Sequence, residues 1–200
     1  MMTQPTLFTP PPVTTFRCIA ADPPWAEKGG GKVKRGADRH YGTLNYAEIV
    51  DVMRAYFSEV GIPDPAGCLL WMWATNNHLV GALDVMKDLG FRYVTNLVWV
   101  KTTKTGLPHV GLGQRTRQRH EPLLLGVMGN VPVPDPPNRP HSVIEAARGR
   151  HSEKPAEAYA RIERACDGPR LEVFARAARP GWTVVGNEAP TTSATTTEAA

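Results

Sequence analysis

Short apolar runs alternate along this chain with stretches whose apolar residues recur every three to four positions, a pattern that predicts an α/β sheet with helices packed on it. FRCIAA (16–21) reads as a buried strand. Over 44–60, Ile49, Val52, Met53, Tyr56, Phe57 and Val60 keep the helical period, and Asn45 with Glu48 three residues on has the form of a capping box. CLLWMWA (68–74) reads as a strand, Leu79, Leu83, Met86 and Leu89 mark a second helix closed by Gly90, and YVTNLVWVK (93–101) is the next strand. A polar, glycine-containing stretch then runs to His120, longer than most connections in a compact domain and therefore either functional or mobile. EPLLLGVMG (121–129) resumes as a strand, VPVPDPPNRP (131–140) is too rich in proline for an interior element, and HSVIEA (141–146) reads as a short strand. A helix from Pro155, with that proline in its first turn, puts Tyr159, Ile162 and Cys166 on its inner face and stops at Gly168-Pro169. LEVFA (171–175) and WTVVG (182–186) complete the strands.

Composition adds limits. Two hundred residues suit one core, and 42% hydrophobic with 21% charged positions excludes a disordered polyampholyte. No apolar run approaches the ~18 residues of a membrane-spanning helix, and the N-terminus has no signal-peptide pattern. The expected organisation is a flexible arm over 1–15, a single domain over 16–188 and a disordered tail over 189–200. Cys18, Cys68 and Cys166 stand far apart, which writes neither a disulfide framework nor a zinc site of usual spacing and suits a reducing, cytoplasmic compartment.

The sharpest chemical feature is Asp22-Pro23-Pro24-Trp25, placed where a buried strand emerges, the position at which open α/β sheets build ligand sites. Two prolines hold the exit extended with carbonyls turned outward. Asp22 and a proline carbonyl then form a pair of acceptors, and Trp25 offers a flat face for stacking. Such a pair suits the exocyclic amine of a nucleobase. The lone pair of that amine is delocalised into the ring, so two acceptors on its N–H groups favour the tetrahedral nitrogen that forms as it attacks an electrophilic methyl group. A second Asp-Pro-Pro, at 135–137, follows no buried strand and reads as an ordinary turn. GGGKVKRG (29–36) has Val33 where a phosphate-binding loop needs a hydroxyl, so it reads as a basic loop. His120-Glu121 has no second histidine at metal-ligand spacing and reads as a charged strand entry; no metal site is expected.

In order along the chain, ADPPW (21–25), Tyr41-Gly42-Thr43, VWVK (98–101), HEPLLLGVMGN (120–130), HSEKP (151–155) and LEVFARAARPGWTVVGNE (171–188) resemble the MT-A70-like family of adenine N6-methyltransferases. The resemblance spans residues 16–188 and is similar above all to bacterial and phage members. It implies a Rossmann-like sheet with helices on both faces, the catalytic motif preceding the cofactor-binding strand, and S-adenosylmethionine as cofactor. It also implies roles: Asp22, Pro23, Pro24 and Trp25 as catalytic; Asp22, Lys154, Glu172, Phe174, Arg176, Asn187 and Glu188 on the cofactor; Tyr41 and Glu121 on the substrate. Two departures weaken the expected cofactor contacts. Ala178 and Arg179 stand where a family member has a His-Asn pair, and no acid precedes Asp22.

The net charge of +4 has a location. The stretch 27–40 carries five basic residues against two acids, and 101–120 carries Lys101, Lys104, Arg115, Arg117 and Arg119 with no acid, so the rest of the chain sums to −4. Lys101, Arg115, Arg117 and Arg119 are therefore expected on the substrate, a polyanion. The expected function is methyl transfer to N6 of adenine in nucleic acid, with DNA favoured over RNA, no membrane partner, and room for a homo- or heterodimer. The alternatives are a non-catalytic nucleic-acid-binding subunit of the same fold, an RNA adenosine methyltransferase, and methylation of a free nucleotide or small amine.

Overall fold

The computed structural model describes residues 13–26, 42–111, 115–149 and 153–186. In chain order the elements are β1 (Thr15–Phe16), β2 (Cys18–Ala21), α1 (Tyr46–Val60), β3 (Ile62–Pro63), β4 (Gly67–Trp73), α2 (Leu79–Asp88), β5 (Arg92–Thr102), β6 (His120–Gly129), β7 (Val143–Ala147), α3 (Ala156–Ala165), β8 (Arg170–Val173) and β9 (Thr183–Val185). Short 3-10 turns cover Asn76–His78 and Pro136–Asn138.

Seven strands form one sheet in the order β7-β5-β6-β4-β2-β8-β9. Only β6 runs against its neighbours β4 and β5; all other pairs in the sheet are parallel. Six strands therefore end at one edge of the sheet, and β6 begins there. Every residue of β2 and β4 is buried, as strands covered on both faces require. Alternate side chains serve two cores. Ile19, Ala21, Cys68, Leu70 and Met72 meet Ile49, Met53 and Phe57 of α1 and Ala82, Val85 and Met86 of α2. On the other face Ala20, Trp71, Trp73 and Trp99 meet Ala158, Tyr159 and Ile162 of α3. The mixed sheet with helices on both faces is the expected Rossmann-like class.

The start of α1 carries the expected capping box: the Glu48 N–H donates to the Asn45 side chain at 3.0 Å, and the Asn45 N–H donates to the Glu48 carboxylate at 2.7 Å. Three details differ from the sequence reading. Pro155 is the N-cap of α3 rather than part of its first turn. Thr15, assigned to the arm, pairs in parallel with Ile62, a pairing too short to show as a periodic run. The stretch after β5 starts as a hairpin extension, with the His109 N–H on the Lys101 carbonyl at 3.0 Å and the Gly111 N–H on the Gln118 carbonyl at 2.8 Å. The second Asp-Pro-Pro is an exposed turn outside the sheet. Among the described residues no helix is long and apolar enough to cross a membrane.

From β2 the chain crosses to β4 on one side, while β8, on the other side of β2, leads outward to β9. Ligands of open α/β sheets sit at the carboxyl ends of strands whose connections diverge in this way. Asp22 follows β2, and Phe174 to Arg176 follow β8.

Candidate active site

The turn after β2 is pinned on all sides. The Trp25 N–H donates to the Pro23 carbonyl at 2.9 Å, closing a three-residue turn, and the Leu44 N–H donates to the Pro24 carbonyl at 2.9 Å. The Ala26 N–H returns to the Leu44 carbonyl at 3.1 Å, so Trp25 and Leu44 form a parallel bridge. Both proline carbonyls thus accept one backbone bond, and each keeps a second lone pair for another donor. Trp25 differs from its expected role. Its ring is 5% exposed, stacked on His78 with centroids 5.6 Å apart and planes 14° apart, and its Nε1 donates to the Trp73 carbonyl at 3.1 Å. A buried indole needs an acceptor for its N–H, and the end of β4 supplies one, which draws the ring inward. The flat face expected to meet a base is covered by His78.

Beside the turn lies a row of alternating charges drawn from four parts of the chain. Lys154 Nζ donates to Asp22 Oδ2 at 2.8 Å and lies 3.2 Å from Glu121 Oε1; Lys101 Nζ donates to Glu121 Oε2 at 2.6 Å. The Lys154 side chain is only 8% exposed and its ammonium lies 5.4 Å from the centroid of the Trp73 ring, while that of Lys101 lies 4.8 Å from the Trp99 ring. Burial pushes the Asp22 carboxyl above the usual carboxylate range, against the pull of Lys154 and, more weakly, Arg176. For Glu121 burial acts in the same direction, but the ammonium groups of Lys154 and Lys101 outweigh it and hold the carboxyl below its ordinary value. Burial would lower Lys154; Asp22 and Glu121 outweigh that and raise it. A buried cation shared by two carboxylates results.

A second cluster stands behind the end of β8. The Tyr159 hydroxyl donates to Glu172 Oε1 at 2.6 Å, Arg179 Nε donates to Glu172 Oε2 at 3.0 Å, and the Arg179 guanidinium lies 3.2 Å from the Tyr159 ring centroid. Burial, then Glu172, raises the Tyr159 hydroxyl far above its usual range. Both oxygens of Glu172, expected on a cofactor, are therefore engaged by the protein. Arg179, read from sequence only as a departure, is one of the partners that holds it. Phe174 takes a left-handed backbone, φ +62°, with its ring edge-on to Tyr56 at 6.2 Å. A left-handed phenylalanine is strained, and such strain gathers where strands hand over to ligand sites. Gly186, after β9, lets the two strand exits close up: a Cβ there would lie 2.6 Å from the Ala175 carbonyl oxygen.

Of the expected site residues, the fold brings Asp22, Lys154, Glu121 and Lys101 together, with the charge of Arg176 felt at Asp22. Arg115, Arg117 and Arg119 are exposed on the stretch between β5 and β6, and the Arg119 carbonyl accepts the Lys101 N–H at 2.8 Å. Tyr41, Asn187 and Glu188 lie outside the described residues. Sequence reasoning passes over Tyr46, His78, Tyr159 and Arg179 as site residues. The periodicity places Tyr159 correctly on an inner face but as packing alone, and nothing local marks a hydroxyl that will meet a carboxylate thirteen residues on.

The family model for MT-A70 matches residues 16–188. The chain is 26% identical to the type II methyltransferase M.MunI of Mycoplasma sp over 92% of its own length and 82% of that protein. It is 32% identical to the N(6)-adenosine-methyltransferase MT-A70-like protein of Drosophila melanogaster, covering 86% of this chain and 27% of that one. With the human N(6)-adenine-specific methyltransferase METTL4 it shares 31% identity over 87% of this chain and 37% of the relative. It thus spans most of the mycoplasmal protein and about a third of the animal ones. A DPPW turn at the exit of β2, a buried lysine joining it to β6, and a match over nearly the whole described sheet agree: the chain belongs to the MT-A70 family of methyltransferases.

Proposed function

We propose that this protein moves a methyl group from S-adenosylmethionine to N6 of adenine in nucleic acid, with DNA as the preferred substrate, in the cytoplasm of a bacterial or phage-infected cell. The observation that carries the reading is the Asp22 carboxylate at the exit of β2, next to a proline carbonyl with a free lone pair and balanced by a buried ammonium. Asp22 and the Pro23 carbonyl accept the two N–H bonds of the amine and favour its tetrahedral form. Lys154, 2.8 Å away, opposes the upward push that burial gives the Asp22 carboxyl. Relatives named as N(6)-adenine-specific and N(6)-adenosine methyltransferases support adenine as the acceptor.

The donor set fits the cofactor. Lys154 is a buried ammonium able to take a carboxylate, and Arg176 stands at the neighbouring strand exit. When bound, the cofactor supplies an electrophilic methyl group on a sulfonium. Asn187 and Glu188, directly after β9, are assigned to its adenosine end. Glu172 acts through Tyr159 and Arg179, holding the wall of the site. The exposed Arg115, Arg117 and Arg119 take the phosphates.

The test is transfer of labelled methyl to matched DNA and RNA oligonucleotides, with cofactor binding followed by calorimetry. Label in DNA above RNA supports the reading, and label in RNA alone overturns the substrate preference. Cofactor that does not bind at millimolar concentration favours the non-catalytic subunit instead. Methylation of free nucleotide without salt-dependent oligonucleotide affinity favours a small-molecule enzyme.

A further inference from the structure

Behind the Asp22 turn the ring of Trp25 meets two others, those of Tyr46 and His78, that no sequence motif singles out. The His78 ring lies flat on Trp25, Tyr46 meets Trp25 edge-on at 6.0 Å and 68°, and it meets His78 edge-on at 5.9 Å and 82°. The Tyr46 hydroxyl is hydrogen-bonded to His78 Nδ1 at 3.1 Å. The other ring nitrogen of His78, Nε2, is buried and has no hydrogen-bond partner among the described residues. The orientation of the imidazole therefore depends on the Tyr46 bond and on the stack. Gly81 of α2 completes the arrangement, since a Cβ there would overlap the Tyr46 ring. Trp25 is fixed on its other side by its bond to the Trp73 carbonyl and by the bridge to Leu44.

Trp25 is thus clamped between the end of β4 and a histidine held by the first residue of α1. It lies three residues from Asp22 in a turn whose prolines leave little freedom. Any shift of the indole passes along that stiff turn to the carboxylate. Misplacing a reacting group by about 1 Å costs on the order of 100-fold in rate.

We propose that His78 is a positioning residue for methyl transfer: with Tyr46 it holds Trp25, and through the turn it sets the place of the Asp22 carboxylate. The inference rests on the proposed function for its kinetic readout and on the ring geometry for its structural one. The experiment uses the full chain labelled with 5-fluorotryptophan, its Trp25 resonance assigned by loss in Trp25→Phe, together with kcat, KM and cofactor affinity.

In His78→Ala the Trp25 resonance moves and kcat falls about 10- to 100-fold with cofactor affinity unchanged. His78→Phe keeps a flat ring and recovers most of kcat. Tyr46→Phe removes one hydroxyl from a half-exposed side chain, folds even where His78→Ala does not, and gives a smaller loss in the same direction, as does Gly81→Ala. An unmoved Trp25 resonance in Tyr46→Phe, which keeps the stacked imidazole, overturns the inference, as does kcat within threefold of the parent in both His78→Ala and Tyr46→Phe. A parent protein that transfers no methyl group overturns the proposed function; whether the Trp25 resonance moves in Tyr46→Phe, which keeps the stacked ring, then still decides whether the clamp holds the indole.

Discussion

Asp22 pairs with Lys154 at a place where burial opposes its ionisation. Its carboxyl is raised, so it binds its proton more tightly folded than unfolded, and its ionisation as pH rises past 3.8 subtracts from stability. Asp22→Asn should therefore lose methyl transfer by about 100-fold or more while unfolding in urea at pH 7 no earlier than the parent. Lys154 is different in kind. Lys154→Met leaves Asp22 without its cation beside Glu121, which keeps only Lys101; breaking the buried pair costs about 3–5 kcal/mol and shows as a lowered urea midpoint. Asp22 was legible from sequence as an acid leaving a buried strand ahead of two prolines and a tryptophan, and Lys154 only through the resemblance of the ordered motifs to a known family. The inward turn of Trp25 was not. It depends on a carbonyl forty-eight residues away and on a histidine that reads locally as the start of a helix.

The elements bring these residues together through strand direction. β6 is antiparallel, so its first residues, not its last, reach the edge where the parallel strands end, and Glu121 arrives beside Lys154. Its carboxyl is held below its ordinary value by the two ammonium groups. The stability it contributes is present above pH 4.5 and is lost as pH falls through the lower folded value. The parent should exceed Glu121→Gln by about 1.5–3 kcal/mol at pH 6, and unfolding curves taken at successively lower pH should show that advantage shrinking below pH 4.5. Periodicity and capping chemistry were enough to find the seven strands of the main sheet and the three α-helices, because each buries a regular face. Two kinds of feature were hidden. The β1–β3 pair is two residues long, and the direction of β6 is set by pairing rather than by its own apolar run.

For the molecule as a whole, charge is distributed unevenly. The basic residues of 101–120 divide by role: Lys101 turns inward to Glu121, while Arg115, Arg117 and Arg119 stay exposed. Replacing those three arginines by glutamine should weaken duplex binding, reduce the slope of its salt dependence by up to about 0.9 for each phosphate no longer neutralised, and leave cofactor affinity unchanged. Titration of binding at several salt concentrations checks this. The basic stretch 27–40 lies outside the described residues, so its share in binding has to be read from the same titration with Lys32, Lys34 and Arg35 replaced.

The central claim is that Asp22 activates the amine of adenine. The most direct measurement is to incubate the purified chain with methyl-labelled S-adenosylmethionine and adenine-containing DNA, digest the product to nucleosides, and identify the labelled one, beside an Asp22→Ala control. Label should appear on N6 of deoxyadenosine with the parent protein and be absent with Asp22→Ala. Label on another base, or equal label in the control, would contradict the account.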